Sequence, residues 1–168
     1  KMFHDALVPF AERRIISMIV VSDTTPIISL LKVHRLELLK TLYGKIIVPG
    51  AVYQELTSNS AYEMEKEEVI HCDFISIGEI QNEESVKILR NVTGLDAGES
   101  EALVLYDEWN ADLLLMDERK GRQIANKMSI QYIGTMGILM LSFDEGLLVA
   151  EEVKTIIDEM LENNIRLS

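Results

Sequence analysis

Two uninterrupted apolar runs mark the interior of this chain. Ile19-Val20-Val21 and Leu113-Leu114-Leu115-Met116 show no alternation of polar and apolar positions. That is the pattern of strands covered on both faces in a parallel sheet. Each run hands over to a carboxylate, Asp23 in the first case and Asp117 in the second. After the first, Thr25-Pro26 reads as a helix N-cap followed by the first helical residue, where proline's missing N–H is harmless. Asp23 is thereby left at the carboxyl end of a central strand, facing a helix start, where open α/β sheets place their chemistry.

The remaining pattern alternates strand and helix. Thr25–Val33 and Arg35–Leu42 read as two short helices hinged near His34, the second with an apolar stripe of Leu36, Leu39, Leu42 and Tyr43. Gly44 closes it as a left-handed cap. Lys45–Val48 is a short strand, Ala51–Ser58 a helix carrying Glu55, and Asn59–Val69 a polar, acidic stretch expected to protrude. Phe74–Ile77 reads as an edge strand and Glu83–Val92 as a helix. Gly94 to Glu99 opens another helix, running to about Asn110. Gly121–Lys127 is helical, Gln131–Ile133 a last short strand, and Met136–Leu148 and Glu151–Asn163 the final helices. Met136 and Met140 read as core rather than partner surface. The alternation predicts an α/β fold, three-layer α/β/α around a central mostly parallel sheet.

With 168 residues, 48% of them hydrophobic, the chain has the length of one domain and material for a core. The domain is expected over residues 18–168, because Met18 reads as a natural start. Residues 1–17, with Arg13-Arg14 but no signal-peptide apolar core, read as an N-terminal extension: an upstream helix, an appended segment or the product of an early start codon. No apolar run reaches the roughly 18 residues of a membrane span. A single cysteine, Cys72, excludes an internal disulfide and fits a reducing, cytoplasmic setting, with burial its expected fate. His4, His34 and His71 have no zinc-like spacing.

Charge sharpens the picture. Sixteen basic against 28 acidic residues leave a net charge of −12, which repels nucleic acid unless cations cluster locally or metal ions neutralise the site. Arg119, Lys120, Arg122 and Lys127 are the marked cationic cluster, just beyond Asp117. They suit RNA phosphates, or a solvated helix face with salt bridges.

Four carboxylates are candidates for chemistry. Asp23 and Asp117 each have a bland explanation as helix caps. Two such strand ends in one small parallel sheet weaken it, because parallel strands gather their carboxyl ends. Glu55 flanks the apolar side of its helix, where it must pair, bind a cation or snorkel outward. Glu99 stands three residues after Asp96, a capping-box spacing. It also lies on the stripe of Ala102, Leu103 and Tyr106, whereas Glu101 sits about 200° round the helix and is expected to point out.

The ordered set Asp23, Glu55, Glu99 and Asp117 resembles the four acids of PIN-domain ribonucleases. Gly98-Glu99-Ser100-Glu101-Ala102-Leu103 through Asp117-Glu118-Arg119-Lys120-Gly121-Arg122 is similar to a prokaryotic branch related to VapC-type toxins. Glu99 and Asp117 are 18 residues apart, the length of a helix, a turn and a strand. Two positions depart from the family pattern: Leu115 stands where many members carry Thr, and Lys120 where a further acid follows. The resemblance implies a metal-dependent endoribonuclease, with Asp23, Glu55, Glu99 and Asp117 catalytic. Converging carboxylates repel unless a hard divalent cation sits among them, and Mg²⁺ or Mn²⁺ suits oxygen ligands; Asp23, Glu99 and Asp117 are its expected holders. Thr24 or Thr25 is placed to orient Asp23 or a water, with capping as the alternative. Thr24, Arg119, Lys120 and Arg122 are the expected substrate contacts. The implied partners are RNA, a cognate antitoxin reaching the acidic cleft through Arg or Lys, and a second copy in a homodimer. Rival readings are a catalytically silent PIN-like module binding RNA or protein, and a phosphotransfer enzyme or receiver. Asp23-Thr24-Thr25 lacks the second aspartate of the first, and Gly134-Thr135 the late lysine of the second.

Overall fold

A computed structural model describes residues 17–167. The expected N-terminal extension therefore lies outside the described residues, apart from Ser17. Five short strands form one sheet: β1 Val20–Ser22, β2 Ile46–Pro49, β3 Ile75–Gly78, β4 Leu113–Leu115 and β5 Tyr132–Ile133. They pair in the order β3-β2-β1-β4-β5, and every pairing is parallel.

Strand side chains alternate between two cores, which makes the three layers. Val20, Ile46, Val48 and Leu115 face one side. Val21, Ile47, Leu114 and Met116 face the other. The first core takes in α1 (Thr24–Lys32), α2 (Glu37–Tyr43), α3 (Gly50–Ser58), α8 (Thr135–Asp144) and α9 (Ala150–Glu162) through residues such as Ile27, Leu39, Val52, Ile138 and Ile156. The second is closed by α6 (Ala97–Glu108) and α7 (Arg119–Lys127) through Ala102, Leu103, Leu105 and Ala125. α5 (Glu83–Thr93) lies outside α6 with no fully buried residue.

This order fixes where chemistry can sit. From β1 the chain moves outward through β2 and β3, then returns to add β4 and β5 on the other side. The crevice beyond the strand ends opens where the order reverses, between β1 and β4. Asp23 follows β1 and Asp117 follows β4, so both flank that switch point. The Asp23 N–H donates to the Leu115 carbonyl at 3.0 Å, carrying the ladder to the edge of the crevice.

Several local expectations change. The helix after β1 begins at Thr24, with Asp23 rather than Thr25 at its N-cap; Pro26 falls third, still within the turn whose N–H groups lack helical acceptors. Asn59–Val69 does not simply protrude. Asn59 caps a 3₁₀ turn at Ser60–Tyr62, and α4 (Lys66–Ile70) follows, anchored by buried Val69 and by the Lys32–Glu65 ion pair at 3.0 Å. The cationic helix starts at Arg119, not Gly121, because the Glu118 side chain accepts the Lys120 N–H. Met140 is exposed and Cys72 only half-buried.

Candidate acidic site at the strand ends

Asp23 is set by backbone geometry rather than by partners of its own side chain. The residue occupies the α1 N-cap in extended conformation, yet its carboxylate makes no capping hydrogen bond. It is 5% exposed. Burial is the largest influence on its pKa, which is pushed up to about 7; the Thr24 backbone N–H opposes this, while Glu99, Asp96 and Glu55 reinforce it in that order. A helix cap gains stability from its charge. Here the charge is opposed on every count but one.

The opposing carboxylates arrive on α6 and α3. Gly98, in the first turn of α6, sits directly against the site: a Cβ there would stand 3.4 Å from Asp23 Oδ1, 3.6 Å from Asp96 Oδ1 and, more tightly, 3.3 Å from Val52 on α3. Glu99 follows immediately. It forms the capping box in full, its carboxylate accepting the Asp96 N–H at 2.9 Å while Asp96 accepts the Glu99 N–H at 2.8 Å. The two readings of Glu99 are thus compatible, because burial and then the Asp96 and Glu118 charges raise its pKa, against the Asp96 N–H and Lys120. Glu55 enters from α3 and accepts the Thr24 hydroxyl at 2.8 Å, which ties Thr24 to the acids. A depression of about 410 Å³ lies beside them, lined by Glu55, Asp96 and Gly98 among others.

Asp117 differs in kind. One of its oxygens accepts the Thr135 N–H at 2.7 Å and the other the Thr135 hydroxyl at 2.5 Å, so it caps the start of α8. Arg122 Nη2 stands 3.4 Å from it, while Arg122 Nε donates to the Met116 carbonyl at 2.8 Å and the guanidinium lies over the Tyr132 ring. Arg122, expected to meet substrate, is therefore occupied within the fold; Arg119 and Lys120 are exposed. Lys120 Nζ reaches the C-terminal glycine of α5, 3.1 Å from where a Cβ on Gly94 would be. Among the described residues, no three His, Cys, Asp or Glu side chains converge closely enough to hold a metal ion as they stand. The donor set is nevertheless all hard oxygen around a buried carboxylate whose charge only the Thr24 N–H offsets, which suits a divalent cation of the Mg²⁺ or Mn²⁺ type.

A family model described as a PIN domain matches residues 19–168, almost the whole chain. The chain belongs to the PIN-domain family. PIN domains are in general nucleases that use divalent metals, and the all-parallel sheet between two helical layers is the three-layer architecture of this one. No curated protein matches the chain significantly. None of the described helices is long and apolar enough to cross a membrane.

Three residues of this PIN domain have roles at the site that sequence reasoning did not assign. Asp96 acts on both Asp23 and Glu99. Thr135 holds Asp117; its signal was present, since Ile133-Gly134-Thr135 repeats the strand-to-helix handover of Ser22-Asp23-Thr24. Tyr62 comes from the 3₁₀ turn, and its phenol pKa is raised by burial, then by Glu55 and Asp23; nothing in its sequence context announces that. Glu101 is a correction. It turns inward and accepts the Ala51 N–H at 2.8 Å, satisfying the start of α3, because α3 packs directly across α6.

Proposed function

We propose that this PIN domain is a metal-dependent endoribonuclease and the toxin half of a toxin–antitoxin pair, working in the cytoplasm. The observation that carries the nuclease reading is Asp23: a buried carboxylate at the switch point of a parallel sheet, with three acids set against its charge. Asp23, Glu99 and Asp117 are the residues assigned to hold Mg²⁺ or Mn²⁺. Asp117 can do so without losing Thr135, because each carboxylate oxygen has two lone pairs. Bound there, the ion supplies a lowered pKa for its water and charge stabilisation on the attacked phosphodiester. Glu55, held by the Thr24 hydroxyl, keeps a further carboxylate at the cleft. Arg119 and Lys120 meet substrate phosphates.

The acidic cleft is also what a neutralising antitoxin would seek, through Arg or Lys side chains that replace the cation. A homodimer belongs to this reading, and light scattering tests it directly. The alternative is a silent PIN module that binds RNA or protein; the engagement of Asp117 by Arg122 and Thr135 favours it. Incubation of single-stranded RNA with the protein and Mg²⁺ or Mn²⁺ separates the two. Cleavage that falls roughly a hundredfold or more in Asp23→Asn supports the enzyme. RNA that stays intact with every metal, while still bound, establishes the module.

A further inference from the structure

α5 carries a feature that the acids do not account for. Lys87 and Arg90 stand three residues apart on this helix, one turn and about 4.5 Å along its axis. Together with Asn91 and Leu95 they line a hollow of about 310 Å³ that no carboxylate touches. In a chain with 28 acidic residues and a net charge of −12, such a surface is unusual. Lys87 and Arg90 also border the adjoining cavity of about 580 Å³, where Glu79, Glu83, Glu84 and Glu101 do appear. The cations therefore face the acid-free side as well as the acidic one.

The hollow is joined to the site at two points. Leu95 in its lining is the chain neighbour of Asp96, which acts on Asp23. Lys120 reaches Gly94 at the end of α5, and its charge is felt by Glu99. Lys87, Arg90 and Lys120 thus form a line of positive charge leading from α5 to the acids. Helix energetics explain little of it. Arg90, in the last turn, gains only modestly from the helix dipole, and the 3.5 Å Lys87–Glu84 contact is an exposed pair. Arg90 makes no salt bridge among the described residues.

We propose that the hollow of Lys87, Arg90 and Asn91, continued by Lys120, seats backbone phosphates of single-stranded RNA along α5. The proposal rests on the nuclease reading for its choice of occupant, and it names where that substrate runs. The contacts are to phosphate and carry no base preference.

The test is fluorescence anisotropy of a labelled single-stranded oligoribonucleotide across a salt series, in an Asp23→Asn background that keeps the probe intact. Lys87→Gln with Arg90→Gln should weaken binding and flatten the slope of log K against log salt by about 1.4, roughly 0.7 for each cation lost. Lys40→Gln removes one cation from the opposite, amino end of the sheet, where Lys40 pairs with Asp73, and should leave the slope alone. An unchanged slope in the double variant overturns the proposal, as it would if the hollow served an acidic protein segment instead. Failure of the parent to bind RNA overturns it too. Cleavage by the wild type with an unchanged slope removes the hollow and leaves the nuclease; a flattened slope without cleavage by any metal does the reverse.

Discussion

Replacing Asp23 by Asn should make the metal-free protein more stable, by an amount that grows with pH. The carboxyl is held near 7 in the fold against an ordinary value of 3.8. Each unit corresponds to about 1.4 kcal/mol, so the ionised group opposes folding by about 4 kcal/mol. The direction follows from linkage. Between those two values the folded chain keeps a proton that the unfolded chain has lost, so stability is full below pH 3.8, falls as pH rises and levels off above 7. Asn has no charge to lose. Its advantage over wild type should be slightly negative at pH 4 and largest at pH 8, lowered throughout by about 1–2 kcal/mol for an imperfectly bonded buried amide. The net of about 2–3 kcal/mol corresponds to roughly 4–12 °C in melting temperature for a domain of this size. The assay is a melting series from pH 4 to 8, with EDTA and with Mn²⁺. Wild type should gain about 2.7 kcal/mol from Mn²⁺ at a hundred times its Kd, and Asp23→Asn should lose most of that gain. Glu101 cannot serve as the control, since its carboxylate holds the Ala51 N–H; Asp158, exposed on α9, can. A difference between wild type and Asp23→Asn that does not change with pH refutes the reasoning, as does an equal gain in Asp158→Asn.

Three further outcomes follow from the Asp117 side and the helix closures. Arg122→Met leaves the 9%-exposed Asp117 without its cation and the Met116 carbonyl without its donor; urea denaturation should show a loss of about 2–4 kcal/mol, and a loss under 0.5 would mean that the contact is idle. Thr135→Val removes the hydroxyl that Asp117 accepts and should reduce stability by about 1–2 kcal/mol; an unchanged denaturation midpoint refutes it. Gly121→Ala puts a Cβ 2.2 Å from the Met116 sulfur, so α7 must shift or Met116 must rotate, at about 1–3 kcal/mol, with Gly50→Ala, which meets nothing within 4 Å, as the neutral comparison in thermal melts.

The fold was legible because its signals are local. Ile19–Val21 and Leu113–Met116 read as doubly covered strands, and Val20 with Leu115 and Val21 with Leu114 do face two separate cores. Phe74–Ile77 read as an edge strand, and β3 is one. What went wrong was also local, in the competition between caps. Asp23 and Thr25 are both good N-caps, and the β1–β4 ladder decides between them by drawing the Asp23 N–H to Leu115. The acidic stretch after Ser58 lacks an apolar period, so α4 was invisible; the Lys32–Glu65 pair and the packing of Val69, both tertiary, bring it out.

The acids pose a harder problem, because one sequence pattern serves two physical ends. Asp23, Glu99 and Asp117 all sit at helix starts, and spacing alone makes each a cap. The structure separates them by what neutralises the charge. Asp117 is answered by Thr135 and Arg122, and Glu99 by the Asp96 N–H. Asp23 is answered only by the Thr24 N–H, and inadequately: it is buried, it makes no capping hydrogen bond, and three carboxylates oppose it. Those opponents come from α3 and α6, elements 32 to 76 residues away in sequence, brought to Asp23 by the packing of α6 against β1 and of α3 against α6. No window of sequence contains that information. A stability-optimised sheet would place an amide or a cation at such a point. A chain that keeps a poorly answered carboxylate there retains a destabilising charge in its resting state, and that is intelligible where the charge is answered by something that binds.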